Sequence, residues 1–273
     1  MESLNALTPF LYMLSSAGYL TYLFLQKSYL QRIGYVLLFA GFMCHTAIIV
    51  SGFVESGHVP VGNLRQTLCM AAWAVAGVFL LIQYRFNIKI LGIYAAPFIA
   101  LMMLIAAQLP DEPSQTQTIF KSFWLISHVV VIFIGEAAFA LACGIGLFYL
   151  LQENALKTKR HRFFFRRLPS LDLLDSVGYV CIVVGFTMLT LGLITGFVYA
   201  KSIWGRFWSW DPKEVWSGIT WLFYAALLHE RLTVGWRGRR SAIMAIIGFG
   251  VLLFTFLGVN LFLEGHHKDF TKL

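Results

Sequence analysis

Runs of about twenty apolar residues dominate this chain, and they leave few folds open to it. About 20 such residues cross a hydrocarbon core as an α-helix. A segment in lipid must also satisfy its own backbone hydrogen bonds, so each run predicts a helix. Eight segments qualify, at roughly 8–25, 33–53, 67–84, 90–108, 120–151, 176–200, 212–232 and 241–263. The fifth is long enough to tilt or protrude. The longest gap between segments is 24 residues (152–175), too short for a soluble domain. The expectation is an all-α integral membrane protein, a single domain over residues 1–273 built as one bundle of about eight transmembrane helices. Composition agrees: only 12% of residues are charged, against about a quarter in soluble domains. The first segment follows Glu2 with no basic residue before it, so it lacks the start of a secretory leader and is expected to remain as the first helix.

Basic residues set the orientation, because cytoplasmic loops are enriched in Lys and Arg. The loops after segments one, three, five and seven hold fourteen: Lys27, Arg32, Arg85, Lys89, Lys157, Lys159, Arg160, Arg162, Arg166, Arg167, Arg231, Arg237, Arg239 and Arg240. The opposite side holds seven, from Arg65 to Lys272. This bias predicts both termini outside, in a bacterial-type inner (plasma) membrane. The net charge of +8 is then mostly topology, with no nucleic-acid footprint. The cluster from Lys157 to Arg167 reads as an anchor against the anionic face of the lipid bilayer. Cys44, Cys69, Cys143 and Cys181 are scattered singly through apolar sequence. They form neither Cys-x-x-Cys nor Cys-x-x-Cys-His, so no zinc, redox or covalent haem-attachment motif is present.

The stretch "WGRFWSWDPKEVW", Trp204 to Trp216, lies in the expected external loop 201–216. Part of it reads as a helix start, with Asp211 as N-cap, Pro212 at the first helical position and Glu214 three residues after the cap. Tryptophans also gather at membrane edges. Four of them in thirteen residues exceed an ordinary belt, and suggest a surface for a large flat apolar ligand. Trp204 and Trp208 would share a face if the loop made a helical turn.

Histidines narrow the ligand. His128 near the outer end of segment five, His266 and His267 after segment eight, and His58 in the first outer loop share the tryptophan loop's side of the membrane. Imidazole is a standard axial ligand of haem iron, and aromatic rings can cover a haem's faces. Trp204, Trp208 and Trp210 are the candidate covering rings, and Arg206, Lys201 or Arg65 the candidate partners for propionates. His45 and His229 lie deeper. At about 1.5 Å per residue their depths differ by about 10 Å or more, which makes them a poor pair for one iron.

The segment "WGRFWSWDPKEVWSGITWLFYAALLHER" resembles the tryptophan-rich signature of the cytochrome c assembly proteins of the CcsA/ResC type. "SFWLISHVVVIFIGEAAFALACGIGLFYLL" is similar to that family's histidine-bearing helix, "GVNLFLEGHHKDF" to its C-terminal region, and "SGHVPVGNLRQTL" to its first outer loop. The resemblance implies a membrane haem-handling protein whose external loop, including Trp204, Trp208, Trp210 and Asp211, holds non-covalent b-type haem between two outer histidines. Those fall on His128 and His267, with His266 the alternative. Membrane-embedded histidines of the family fall on His229 and, less closely, on His45. The implied role is to bring haem to the outer face and present it, reduced, to apocytochrome c, with a CcsB/ResB-like membrane protein as partner in thioether formation. Two features depart from the pattern: Gln66 stands where the family usually has Glu, and the length is close to that of HemX-like proteins.

Other readings of the same residues stay open at this point. One is a HemX-like haem-binding regulator of haem biosynthesis that works through the Lys157–Arg167 loop and is not an enzyme. Another is a transporter with "GLITG" and "GFG" as flex points. A third is an electron-transferring b-type cytochrome.

Overall fold

The computed structural model describes residues 2–110, 122–158 and 167–259. Eight α-helices follow one another among them: α1 Glu2–Leu25, α2 Ser28–Ser56, α3 Leu64–Phe86, α4 Gly92–Gln108, α5 Phe123–Lys157, α6 Leu171–Trp204, α7 Pro212–Thr233 and α8 Arg239–Leu253. A 3₁₀ turn, Lys89–Leu91, leads into α4, and a π-helical stretch, Phe254–Gly258, continues α8. Every apolar segment becomes a helix, and most helices run several residues past the apolar run. Hydropathy marks only the part suited to hydrocarbon, whereas the ends are set by caps: Asn63 accepts from the Gln66 N–H at 2.9 Å, and Asn87 closes α3 with φ of 52°.

Among the described residues, six helical segments are long and apolar enough to cross a membrane: α2, α3, Lys89–Gln108, α5, α6 and Arg239–Gly258. This is an all-α membrane protein. The two remaining helices, α1 and α7, have 24 and 22 residues. They carry more polar side chains, among them Asn5, Thr8 and Ser15 in α1, and Lys213, Glu214 and Arg231 in α7.

Successive helices run antiparallel. Ser15 on α1 donates to the Gly34 carbonyl on α2 at 2.7 Å, Trp73 on α3 to Thr46 on α2 at 2.9 Å, and Trp221 on α7 to Thr190 on α6 at 2.9 Å. The α2–α3 turn, the start of α5 and the α6–α7 loop therefore share one end of the bundle. At the other end lie the α1–α2, α3–α4 and α7–α8 turns. The spine is the α5–α6 pair. Small residues at a helix contact let backbones approach closely, and at Gly135 an added Cβ would lie 3.2 Å from the Gly185 carbonyl. Phe139 fills the space over Gly185 and stacks on Tyr224 with ring centroids 3.6 Å apart, which ties α7 to that spine.

Three of the four glycines in "GLITG" and "GFG" are packing positions in this bundle, whereas Gly250 has nothing within 4 Å of where a Cβ would stand. Gly192 faces Ile132, Gly196 faces His128, and Gly248 faces Phe223 and Tyr224, each with room for no Cβ. Arg231 departs from its expected place among the basic loop residues. It is buried, and binds Asp175 with Nη1 and Nη2 at 2.9 and 2.6 Å.

Candidate functional site

The tryptophan stretch is organised by a helix end and a helix start. Helix α6 stops at Trp204 because Gly205 turns left-handed with φ of 72°, and Lys201 Nζ donates to the Gly205 carbonyl at 3.0 Å. Helix α7 starts at Asp211, whose carboxylate accepts from the Lys213 N–H at 2.9 Å. Glu214 completes the capping box by accepting from the Asp211 N–H at 3.3 Å, and also takes the Ser209 N–H at 2.8 Å and the Ser209 hydroxyl at 3.0 Å. The expected helix start is therefore present, with Pro212 in the first turn.

Within this frame the tryptophans divide. Trp204 and Trp208 do not share a helical face, because the left-handed Gly205 breaks the turn between them. Trp204 meets Tyr199 edge-on at 6.2 Å. Trp208 meets Phe197 on α6 at 5.7 Å and Trp210 at 5.7 Å, the last pair at 90°. Trp210 is 77% exposed, on a backbone with φ of 59°. Trp216 and Trp221 turn to the bundle instead: Trp216 packs on Phe254 at 4.5 Å, and Trp221 lies by Phe186. The indole Nε1 of Trp208 is buried and has no hydrogen-bond partner among the described residues.

His128 stands in the second turn of α5, against the last turns of α6 before the tryptophan loop. Its Nδ1 lies 2.7 Å from the Gly192 carbonyl, and its ring lies over Gly196. A carbonyl only accepts, so Nδ1 is the donor and carries a proton. Gly196 precedes Phe197, from which the rings of Trp208 and Trp210 continue outward. An imidazole held through Nδ1 and a run of aromatic rings, of which Trp210 is exposed, thus lie at the same helix end.

A match to the cytochrome c assembly protein model covers residues 61–267, from the α2–α3 turn to the second candidate histidine. The chain belongs to the cytochrome c assembly protein family. It is 36% identical over 248 residues to the cytochrome c biogenesis protein CcsA of Synechococcus sp. (strain CC9902), covering 82% of each chain. It is 34% identical over 259 residues to CcsA of Chlorella vulgaris, again covering 82% of each. The fold is also that of the cytochrome c haem lyase CcmF, with a TM-score of 0.61 at 17% identity, covering 98% of this chain and 47% of that one. Membership assigns the chain to cytochrome c assembly.

The other candidates of this family member are placed as follows. His266 and His267 lie outside the described residues. His229 is exposed on α7, toward the end opposite the tryptophan loop. His45 is buried on α2, with Nδ1 3.4 Å from the Tyr12 hydroxyl. It lines a cavity of about 280 Å³ between α1, α2, α3 and α4, together with Thr8, Arg65, Gln66, Met70 and Met103. α2 packs chiefly on α1 and α7 on α6 and α8, so His45 and His229 belong to different parts of the bundle. Gln66 accepts from the Gly62 N–H at 2.9 Å and so helps to close the α2–α3 turn. Of the candidate propionate partners, Lys201 is engaged with Gly205 and with the Phe207 ring at 5.3 Å, whereas Arg206 is exposed in the loop. The Asp175–Arg231 pair was not among the expected functional residues; an acid near the start of one apolar segment and a base near the end of the next was its only sequence signal.

Proposed function

We propose that this chain binds b-type haem non-covalently at the outer face of the membrane and presents it for cytochrome c maturation. His128, through Nε2, and His267 would be the residues that hold the haem iron. Trp210 offers the exposed ring, Trp208 meets it edge-on from within the loop, Trp204 belongs to the same stretch, and Asp211 holds the exit of the loop. The observation that carries this reading is the convergence at the outer end of α6 of His128, with Nδ1 committed to Gly192, and the ring series Phe197, Trp208, Trp210. The residues fit the group. A ligating histidine ordinarily donates its other ring N–H to a carbonyl or carboxylate, and the buried indole N–H of Trp208 is a donor suited to a propionate oxygen.

Bound haem supplies the iron and vinyl groups from which the thioethers of cytochrome c are made. The chain's own residues do the rest by position. His128 and His267 would hold the iron, and the rings of Trp208 and Trp210 would keep water from it. Glu214 keeps the loop in one shape through Ser209 and Asp211. Holding two reactants in register is the main source of rate in such a step. A CcsB/ResB-like membrane protein is the partner for thioether formation, and apocytochrome c the acceptor. In this reading all eight helices cross the inner membrane, with both termini and the tryptophan loop outside.

The test is the visible spectrum of detergent-purified protein, alone and supplied with haem, beside His128→Ala and His267→Ala. Low-spin bis-histidine spectra in the wild type, lost in each variant, support the site. Absence of haem binding, or unchanged spectra in both variants, refutes it.

A further inference from the structure

We propose that the Gly192–Gly196 turn of α6 is a built seat for His128, which makes Gly196 and the Gly192 carbonyl positioning groups that present Nε2, and not Nδ1, to the iron. This rests on the haem reading above and specifies how its ligand is held.

Three observations carry it. The first is the hydrogen bond from His128 Nδ1 to Gly192 O at 2.7 Å, which joins α5 to α6 and sets the tautomer. The second is steric. A Cβ at position 196 would lie 2.9 Å from both Cε1 and Nδ1 of His128. The ring is stiff and tied by its N–H, so it could make room only by swinging off the carbonyl. Gly192 does the same for the next turn of α5, where a Cβ would lie 2.3 Å from Cδ1 of Ile132. The two glycines bring the helices together on either side of the shared hydrogen bond. The third is a second donor on that carbonyl: the Thr195 hydroxyl lies 3.0 Å from Gly192 O and 2.8 Å from Leu191 O. The hydroxyl's single proton can go to either carbonyl, and when it goes to Gly192 O that oxygen is shared with His128. The strength of the imidazole's outer hydrogen bond governs the basicity of the ligating nitrogen, so Thr195 is one of the groups that bear on the electron density Nε2 can give.

A structural role alone would need only small residues. The seat makes two further demands, a fixed tautomer and a tunable ligand, and both can be measured. The experiment is ¹⁵N NMR of the histidine-labelled, haem-free protein, followed by haem titration and a redox titration, on wild type, Gly196→Ala, Thr195→Val and His128→Ala. In the wild type, His128 is expected with Nδ1 protonated. Gly196→Ala is expected to mix the tautomers and weaken haem binding by about 10–100-fold, the usual effect of losing an outer-shell partner. Thr195→Val is expected to keep the low-spin spectrum and lower the midpoint potential, because the freed carbonyl pulls harder on Nδ1–H and the more basic Nε2 favours the ferric state.

Wild-type tautomer and affinity in Gly196→Ala overturn the seat. If that variant does not fold, the other two readouts decide: mixed tautomers in the wild type together with an unmoved potential in Thr195→Val overturn it equally. If His128→Ala binds haem as the wild type does, the haem reading falls and the proposed ligand role of the seat falls with it, while the NMR result reports separately whether the ring is held as described.

Discussion

Arg231 on α7 grips Asp175 on α6 with two parallel N–H···O bonds, Nη1–Oδ1 at 2.9 Å and Nη2–Oδ2 at 2.6 Å. The pair closes the end of the bundle opposite the tryptophan loop. Arg231 also donates to Ser241 on α8 at 3.2 Å and lies over the Tyr179 ring at 4.4 Å, while the Gly238 N–H reaches Asp175 Oδ1 at 2.8 Å. The ion pair thus joins three helices and, through Asp175, the α7–α8 turn. Its side chain is 7% exposed and that of Asp175 16%.

Removing one member of a buried ion pair leaves the other uncompensated, at a cost of about 3–5 kcal/mol. Asp175→Ala and Arg231→Ala are each expected to lower the thermal unfolding midpoint in detergent substantially, and the double variant to lose less than the sum. Strict additivity of the two losses would show that the bidentate geometry contributes no coupling.

At the other end, Glu214 holds the loop through Ser209 and Asp211, and so fixes both neighbours of Trp210. Loss of an N-cap costs about 1 kcal/mol, and hydrogen bonds to a charged acceptor contribute about 1.5–3 kcal/mol. Asp211→Ala is therefore expected to be the milder change and Glu214→Ala the more severe. Limited proteolysis within residues 205–211, and haem affinity, should follow the same order. Equal proteolysis of the two variants would mean that Glu214 does not organise the loop.

Trp208 and Trp210 touch each other but differ in what they do for the fold. Trp208 is half-buried against Phe197, whereas Trp210 is exposed and held at φ of 59°. The left-handed region costs an L-residue about 1–2 kcal/mol, and an aromatic pair returns about 0.5–1.5 kcal/mol. Trp210→Gly relieves the first and forfeits the second, so its stability should stay within about 1 kcal/mol of wild type while haem binding weakens. Trp208→Ala should lose both stability and binding. Full haem affinity in Trp210→Gly would remove that ring from the site.

Much of this was legible in the sequence, for definite reasons. Apolar length locates helices because lipid forbids unpaired backbone, and "DPKE" locates the start of α7 because a cap, a proline and an acid have fixed places in a first turn. The ends of α2, α5 and α6 were not legible, since capped polar turns lie beyond any hydropathy signal. Arg231 looked like a loop charge, because sequence gives its position along the chain and not the Asp175 across from it. Gly192 and Gly196 looked like flex points, because a glycine's missing Cβ tells nothing until the neighbour that needs the space, here His128, is in view. Gly205, between Trp204 and Trp208, was the available sign that no helical turn joins them.

Helix α7 decides the topology of the site. Its 22 residues rise about 33 Å at about 1.5 Å per residue, enough to cross a core of about 30 Å. It carries charge at both ends, and it is not one of the six segments apolar enough to be counted as spans. The charge that would most oppose insertion, Arg231, is matched by Asp175 inside the bundle, so a crossing does not require a bare cation in lipid. Exposed Arg206 precedes α7 and exposed Arg237 follows it, with no other α-helix between. In intact spheroplasts a membrane-impermeant maleimide is expected to label Arg206→Cys and not Arg237→Cys, with the pattern reversed in inverted vesicles. The native thiols of Cys143 and Cys181 are buried and those of Cys44 and Cys69 half-buried, so the parent protein serves as the background. Labelling of both positions from the same side would mean that α7 does not cross, and would place the tryptophan loop and the α7–α8 turn on one face. Opposite labelling in the reverse sense would put the candidate haem surface in the cytoplasm, and the proposed presentation of haem at the outer face would fail.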